Sequence, residues 1–94
     1  MHKNSFMKSH LDIKFNDAFD KISKLRKVLA PDIMLKFYAY NKQANFGNNF
    51  SFKSTMNVRS AFKFNAWMQL KGMPTEEAKK EYIKLANTIL NIKK

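Results

Sequence analysis

Residues 37–47, FYAYNKQANFG, gather Phe37, Tyr38, Tyr40 and Phe46 around one cation, Lys42. Tyr38 and Lys42 are four residues apart, which on a helix places them on one face. A phenolic hydroxyl beside an ammonium group is a set of hydrogen-bond donors, and the chemistry it suits is the holding of an anion. The same spacing also suits a plainer arrangement, in which the tyrosine hydroxyls sit at the rim of a core and Lys42 is a solvated charge. Net charge favours anions in general: +11 over 94 residues attracts nucleic acid, an anionic membrane surface or a phosphorylated small molecule, without choosing among them. The lysines run along the whole chain rather than in one block, a pattern that by itself describes a solvated surface.

Catalytic and metal chemistry find little support. His2 and His10 lie in the polar stretch 1–12, and neither pairs with a carboxylate at metal-ligand spacing. The carboxylates Asp12, Asp17, Asp20, Asp32, Glu76, Glu77 and Glu81 fall at expected helix starts or on polar faces. Two glycines in the whole chain leave no phosphate-binding glycine loop, and no nucleophile stands near a base. Without cysteine there is neither a disulfide nor a thiolate metal site. Binding without catalysis, and without a cofactor, is the expected class.

These residues need elements to hold them. A chain of 94 residues makes one domain, burying about 60–65% of its unfolded surface. Residues 13–29 carry Phe15, Ala18, Phe19, Ile22, Leu25 and Leu29 at steps of three and four, one helix face, with Asp12 as N-cap. Pro31 and Asp32 suit the first turn of a second helix reaching Phe46, with Ile33, Phe37, Tyr40 and Ala44 inward and Gly47 as the stop. Residues 48–57, rich in Asn and Ser, are expected to form a loop. A third helix is expected over 58–71, ended by Gly72, and a fourth over 75–92, capped by Thr75, with Tyr82, Ile83, Ala86, Ile89 and Leu90 as its apolar stripe. With no strand pattern, the expected fold is all-α, a four-helix bundle in a single domain 1–94. The N-terminus does not read as a signal peptide and no segment has the length of a membrane span, so a soluble cytoplasmic monomer is expected.

The spacing of three segments resembles one family. MLKFYAYNKQANFG (34–47), KFNAWMQLKGM (63–73) and AKKEYIKLA (78–86) are similar, in order, to signature segments of the acyl-CoA-binding protein family, and the resemblance is clearest over residues 15–90. It implies a four-helix bundle of up-down-down-up topology that reversibly binds medium- to long-chain fatty acyl-CoA without acting on it. Carried over position by position, it implies ligand contacts at Tyr38, Lys42, Lys63 and Tyr82, with Met34 near the adenine or the acyl groove. Two positions depart from the pattern: Asn41 stands where a second tyrosine is usual, and Ser23 where many members have lysine.

The physics of such a ligand matches the residue types. The phosphates of CoA call for cations and hydroxyls, and lysine is a compact charge with three donors. Tyr82 is expected to offer adenine a ring face and ribose or phosphate a hydroxyl. Each methylene removed from water contributes about 0.8 kcal/mol, so a 16-carbon chain offers roughly 10 kcal/mol before costs, and Met34 has the adaptability to line its groove. Two other classes compete on charge alone: a nucleic-acid-binding module, which lacks a recognisable motif here, and a module that docks on membrane surfaces. Of partners, fatty acyl-CoA leads, weak contact with anionic membranes is secondary, and nucleic acid is not expected.

Overall fold

The computed structural model describes residues 9–50 and 57–90. They form α1 (His10–Ser23), α2 (Pro31–Phe46), α3 (Val58–Met68) and α4 (Thr75–Leu90), with no strand among the described residues.

The entry to α1 differs from the expectation. Ser9 is the N-cap: its hydroxyl accepts from the Asp12 N–H at 3.1 Å. Asp12 instead occupies the first turn, where the helix dipole favours an anion, and pairs with Lys79 of α4. The helix also ends early, at Ser23 rather than Leu29. The Ser23 hydroxyl donates back to the Asp20 carbonyl at 2.8 Å, and Leu25 N–H reaches only Ile22 O, at 3.1 Å, a tightened final turn. Pro31 then keeps Ala30 out of the helical region, at ψ 146°. Leu29 still packs on the core from the connection, which is why the apolar spacing outruns the helix.

The other boundaries follow local chemistry. Gly47 ends α2 at φ 61°, a conformation glycine adopts without steric cost. Asn57 caps α3, its side chain accepting from Ser60 N–H at 2.8 Å. The end of α3 unwinds over 69–71, where Leu70 N–H bonds to Trp67 O at 2.9 Å and Lys71 N–H to Met68 O at 3.0 Å. Thr75 is the first residue of α4 rather than its cap, since Ala78 N–H bonds to Pro74 O at 3.0 Å. Residues 51–56 of the expected loop and residues 91–92 of the expected fourth helix lie outside the described residues.

Packing is organised on α2 and α4, which lie against each other; α1 joins α4, and α3 joins α2. The core combines Phe15 and Ala18, Phe37 and Ala44, and Ala78, Tyr82 and Ala86. Ala78 and Ala86 flank Tyr82 at intervals of one turn, and their small side chains let α4 approach its neighbours closely enough to seal the tyrosine ring. The edges of Phe15 and Phe37 meet that ring at centroid distances of 5.1 Å and 5.0 Å, the T-shaped geometry aromatic pairs favour.

A second cluster joins α2 to α3. Trp67 is buried beside Phe50, Phe64 and Phe46, and its indole N–H donates to Gln43 Oε1 at 3.0 Å and to Gly47 O at 3.2 Å. Gln43, fully buried, donates through Nε2 to Asn48 Oδ1 at 3.0 Å and to Met73 O at 2.8 Å. Asn48 Oδ1 also accepts from Gly72 N–H at 2.9 Å. A buried amide is stable only with its hydrogen bonds satisfied, and here they fasten the C-terminal end of α2 to the C-terminal end of α3.

Candidate functional site

Met34, Tyr38 and Lys42 succeed one another every four residues along one face of α2, a strip about 12 Å long at 1.5 Å per residue. Lys63 comes from α3, which the Gln43 network holds against α2. Its Nζ lies 5.3 Å from the centre of the Tyr38 ring, and Lys42 Nζ lies 5.7 Å from the same centre. Three of the expected ligand residues thus meet at one ring, and Met34 is one turn away on the same face.

The electrostatics of this group are one-sided. Neither Lys42 nor Lys63 has a carboxylate partner among the described residues. Both are half-buried, so water screens them less than fully exposed charges. Lys42 is held over aromatic faces: besides Tyr38, its Nζ stands 4.8 Å from the Phe46 ring centre and 5.4 Å from that of Trp67, distances at which a ring face attracts a cation. Burial pushes the Tyr38 hydroxyl above its ordinary pKa, so it stays a protonated donor at neutral pH. Two ammonium groups and a hydroxyl, with no counter-charge among the described residues, make a cluster of donors whose chemistry suits a polyanion such as phosphate.

Phe46, grouped with Lys42 in the sequence but not counted among the expected ligand residues, stands next to the cationic group. It is half-exposed, at 52%, and forms part of the aromatic floor under Lys42. Its signal was present: four residues after Lys42, it occupies the next position on the same helix face.

Tyr82 lies elsewhere. It is 2% exposed, and Phe15, Phe37 and Phe19 surround its ring, so no ring face is open to stack on adenine. This corrects the role the sequence reasoning gave that ring. Burial pushes its hydroxyl up to about 12. The hydroxyl forms no hydrogen bond with the described residues, yet it is not among sealed polar atoms, so its oxygen meets the surface and is the atom left for any ligand contact.

Two grooves with apolar lining run along α2, and neither is lined by Tyr38, Lys42 or Lys63 themselves. One groove, about 410 Å³, runs beneath Met34 among Ile22, Leu25, Val28, Leu29 and Phe37. Met34 is 55% exposed, so it lines this groove instead of filling the core. The other, about 420 Å³, lies between α2 and α3, with Leu35, Ala39, Phe62, Ala66 and Leu70 along its length and Asp32 and Gln69 among its polar lining. Of the two departing positions, Asn41 is half-exposed, and its side-chain and main-chain oxygens both accept from Asn45 Nδ2, at 3.0 Å and 2.8 Å. Ser23 turns its hydroxyl back onto α1.

Comparison with known proteins agrees with this geometry. The family model described as acyl CoA binding protein matches residues 12–86. The acyl-CoA-binding protein of Saccharomyces cerevisiae is 34% identical over 77 residues, covering 81% of this chain and 88% of the yeast protein. The acyl-CoA-binding protein homolog of Drosophila melanogaster is 37% identical over 71 residues, covering 74% and 83%. The crystal structure of Oryza sativa acyl-CoA-binding protein 2 superposes with a TM-score of 0.79 at 26% identity, over 86% of this chain and 91% of the rice chain, and bears out the expected all-α four-helix fold. With its helices, motif order and relatives in agreement, this chain belongs to the acyl-CoA-binding protein family.

Proposed function

We propose that the protein is a non-catalytic carrier that binds medium- to long-chain fatty acyl-CoA thioesters reversibly, in the cytoplasm and as a monomer. The observation that carries this reading is the convergence of Lys42 and Lys63 on the Tyr38 ring without a counter-charge. The lysines and the Tyr38 hydroxyl take CoA phosphates, and the groove lined by Met34, one turn along α2 from Tyr38, takes apolar parts of the ligand. An open groove suits a carrier, because a chain laid along the surface can leave without local unfolding.

Calorimetric titration tests the reading directly. Palmitoyl-CoA should bind one to one and far more tightly than CoA, with octanoyl-CoA between them, because each buried methylene adds up to about 0.8 kcal/mol. Equal affinity for CoA and palmitoyl-CoA would overturn the carrier reading and leave a nucleotide site.

A further inference from the structure

The connection between α1 and α2 lines the Met34 groove with Leu25, Lys27, Val28 and Leu29, and it also carries charge that no carboxylate among the described residues neutralises. Between Asp20 and Asp32 the chain carries four cations, Lys21, Lys24, Arg26 and Lys27, and no carboxylate. Lys21 is paired with Asp17 at 3.1 Å and Lys24 with Asp20 at 3.2 Å. Arg26 and Lys27 are exposed and meet no carboxylate among the described residues. Beside them Val28 is 94% exposed, the most exposed of the large apolar side chains described. Leu29, next in sequence, is packed on the core, so this is a fixed stretch of chain with one aliphatic side chain held outward.

Other exposed apolar residues have different surroundings. Phe62 opens on a groove that includes Asp32. Phe19 and Ile13 share α1 with Asp17 and Asp20. Val58, 72% exposed, has the one adjoining cation Arg59, whereas Val28 protrudes further and follows two adjacent cations unpaired among the described residues, with no acid in residues 24–29. The same segment forms one wall of the Met34 groove. An aliphatic tip set among cations is the arrangement that settles at the boundary between lipid headgroups and acyl chains, with the charges at the headgroup phosphates.

We propose that residues 24–29 dock on an anionic lipid bilayer, Val28 entering the headgroup–acyl boundary and Arg26 and Lys27 meeting lipid phosphates, with the mouth of the Met34 groove turned to the membrane. Charge complementarity selects the partner: a neutral bilayer satisfies Val28 and leaves the cations without partners. The proposal stands apart from the carrier reading, since it concerns the protein without its ligand.

The test uses vesicles and no acyl-CoA, so its outcome is distinguishable from that of the carrier reading. Partitioning is measured on phosphatidylcholine vesicles with and without phosphatidylserine. The wild type should bind only the anionic vesicles, and more weakly as salt rises. Arg26→Gln with Lys27→Gln should weaken partitioning by about 10- to 30-fold, at roughly 1 kcal/mol per cation near an anionic surface. Lys71→Gln with Lys80→Gln removes the same charge elsewhere and should cost far less. The chain contains no cysteine, so Val28→Cys carries a polarity-sensitive dye specifically; its emission should shift to the blue on anionic vesicles, while the dye at Lys80→Cys should not respond. Equal losses in the two double variants would make the attraction a property of net charge and overturn the proposal. So would equal binding to neutral vesicles, absence of binding, or a dye at position 28 that stays in water while the protein is bound.

Discussion

If Lys42 and Lys63 grip one phosphate, removing them should give a non-additive result of definite sign. Each of Lys42→Ala and Lys63→Ala should weaken palmitoyl-CoA binding by about 1.5–3 kcal/mol, the usual value of a hydrogen bond to a charged group. In the free protein the two ammonium groups lie at most about 11 Å apart, the limit set by their distances of 5.7 Å and 5.3 Å to one ring centre. Contact with a single phosphate draws them to about 5 Å, which raises their mutual repulsion by up to about 2 kcal/mol at an effective dielectric of 20 and by about 0.4 kcal/mol at that of water. Each single substitution relieves this repulsion in the complex, so each underreports the attraction it removes. The double variant should therefore lose more than the sum of the singles, by up to about 2 kcal/mol. Calorimetry on the four proteins gives the cycle, and repeating it with the 3′-dephospho ester tests that phosphate. Single losses that sum to more than the loss of the double variant, or an unchanged cycle with the dephospho ester, would refute convergence on the 3′-phosphate.

Gln43→Leu keeps the bulk of the side chain but strips Met73 O of its hydrogen bond, while Trp67 and Asn48 keep second partners; the loss should be about 2–4 kcal/mol, a fall of roughly 10–25 °C in Tm, read by circular dichroism. Tyr82 has a folded pKa raised from 10.0 to about 12, so its contribution is complete below the unfolded value and is lost as pH rises through the folded one. Stability should thus decline between pH 10 and about 12, and Tyr82→Phe should flatten that decline in urea titrations. Asn41→Tyr should tighten CoA and palmitoyl-CoA alike by about 0.5–1.5 kcal/mol, since the residue lies on the half-exposed side of α2 beside Lys42; equal binding at unchanged Tm would mean the site is complete without an aromatic there.

Much of the fold was legible because its signals are local. Periodicity located the four helices, Gly47 stopped α2, and the two acidic residues marked the start of α4. The end of α1 was not legible, since Leu29 keeps helical spacing while packing from a non-helical connection. The pairing of Asp12 with Lys79 joins residues far apart in sequence, and nothing local announces it. Within the site, Tyr38 and Lys42 showed in their spacing, whereas the approach of Lys63 depends on α3 packing on α2 and entered only through resemblance. Tyr82 is instructive in the other direction: its spacing with Ile83, Ala86 and Ile89 already placed it on the apolar stripe, and that signal described its ring correctly where the transferred stacking role did not.

The amide knot at the ends of α2 and α3 also bears on how this domain tolerates change. Asn48 and Gln43 reach Gly72, Met73 and Trp67 directly, so the angle between the two helices is set where they finish. The chain joining them, residues 49–57, has to span the gap and is relieved of aiming α3. Residues can be gained or lost there without moving Lys63 relative to Tyr38, and loop closure makes small length changes inexpensive.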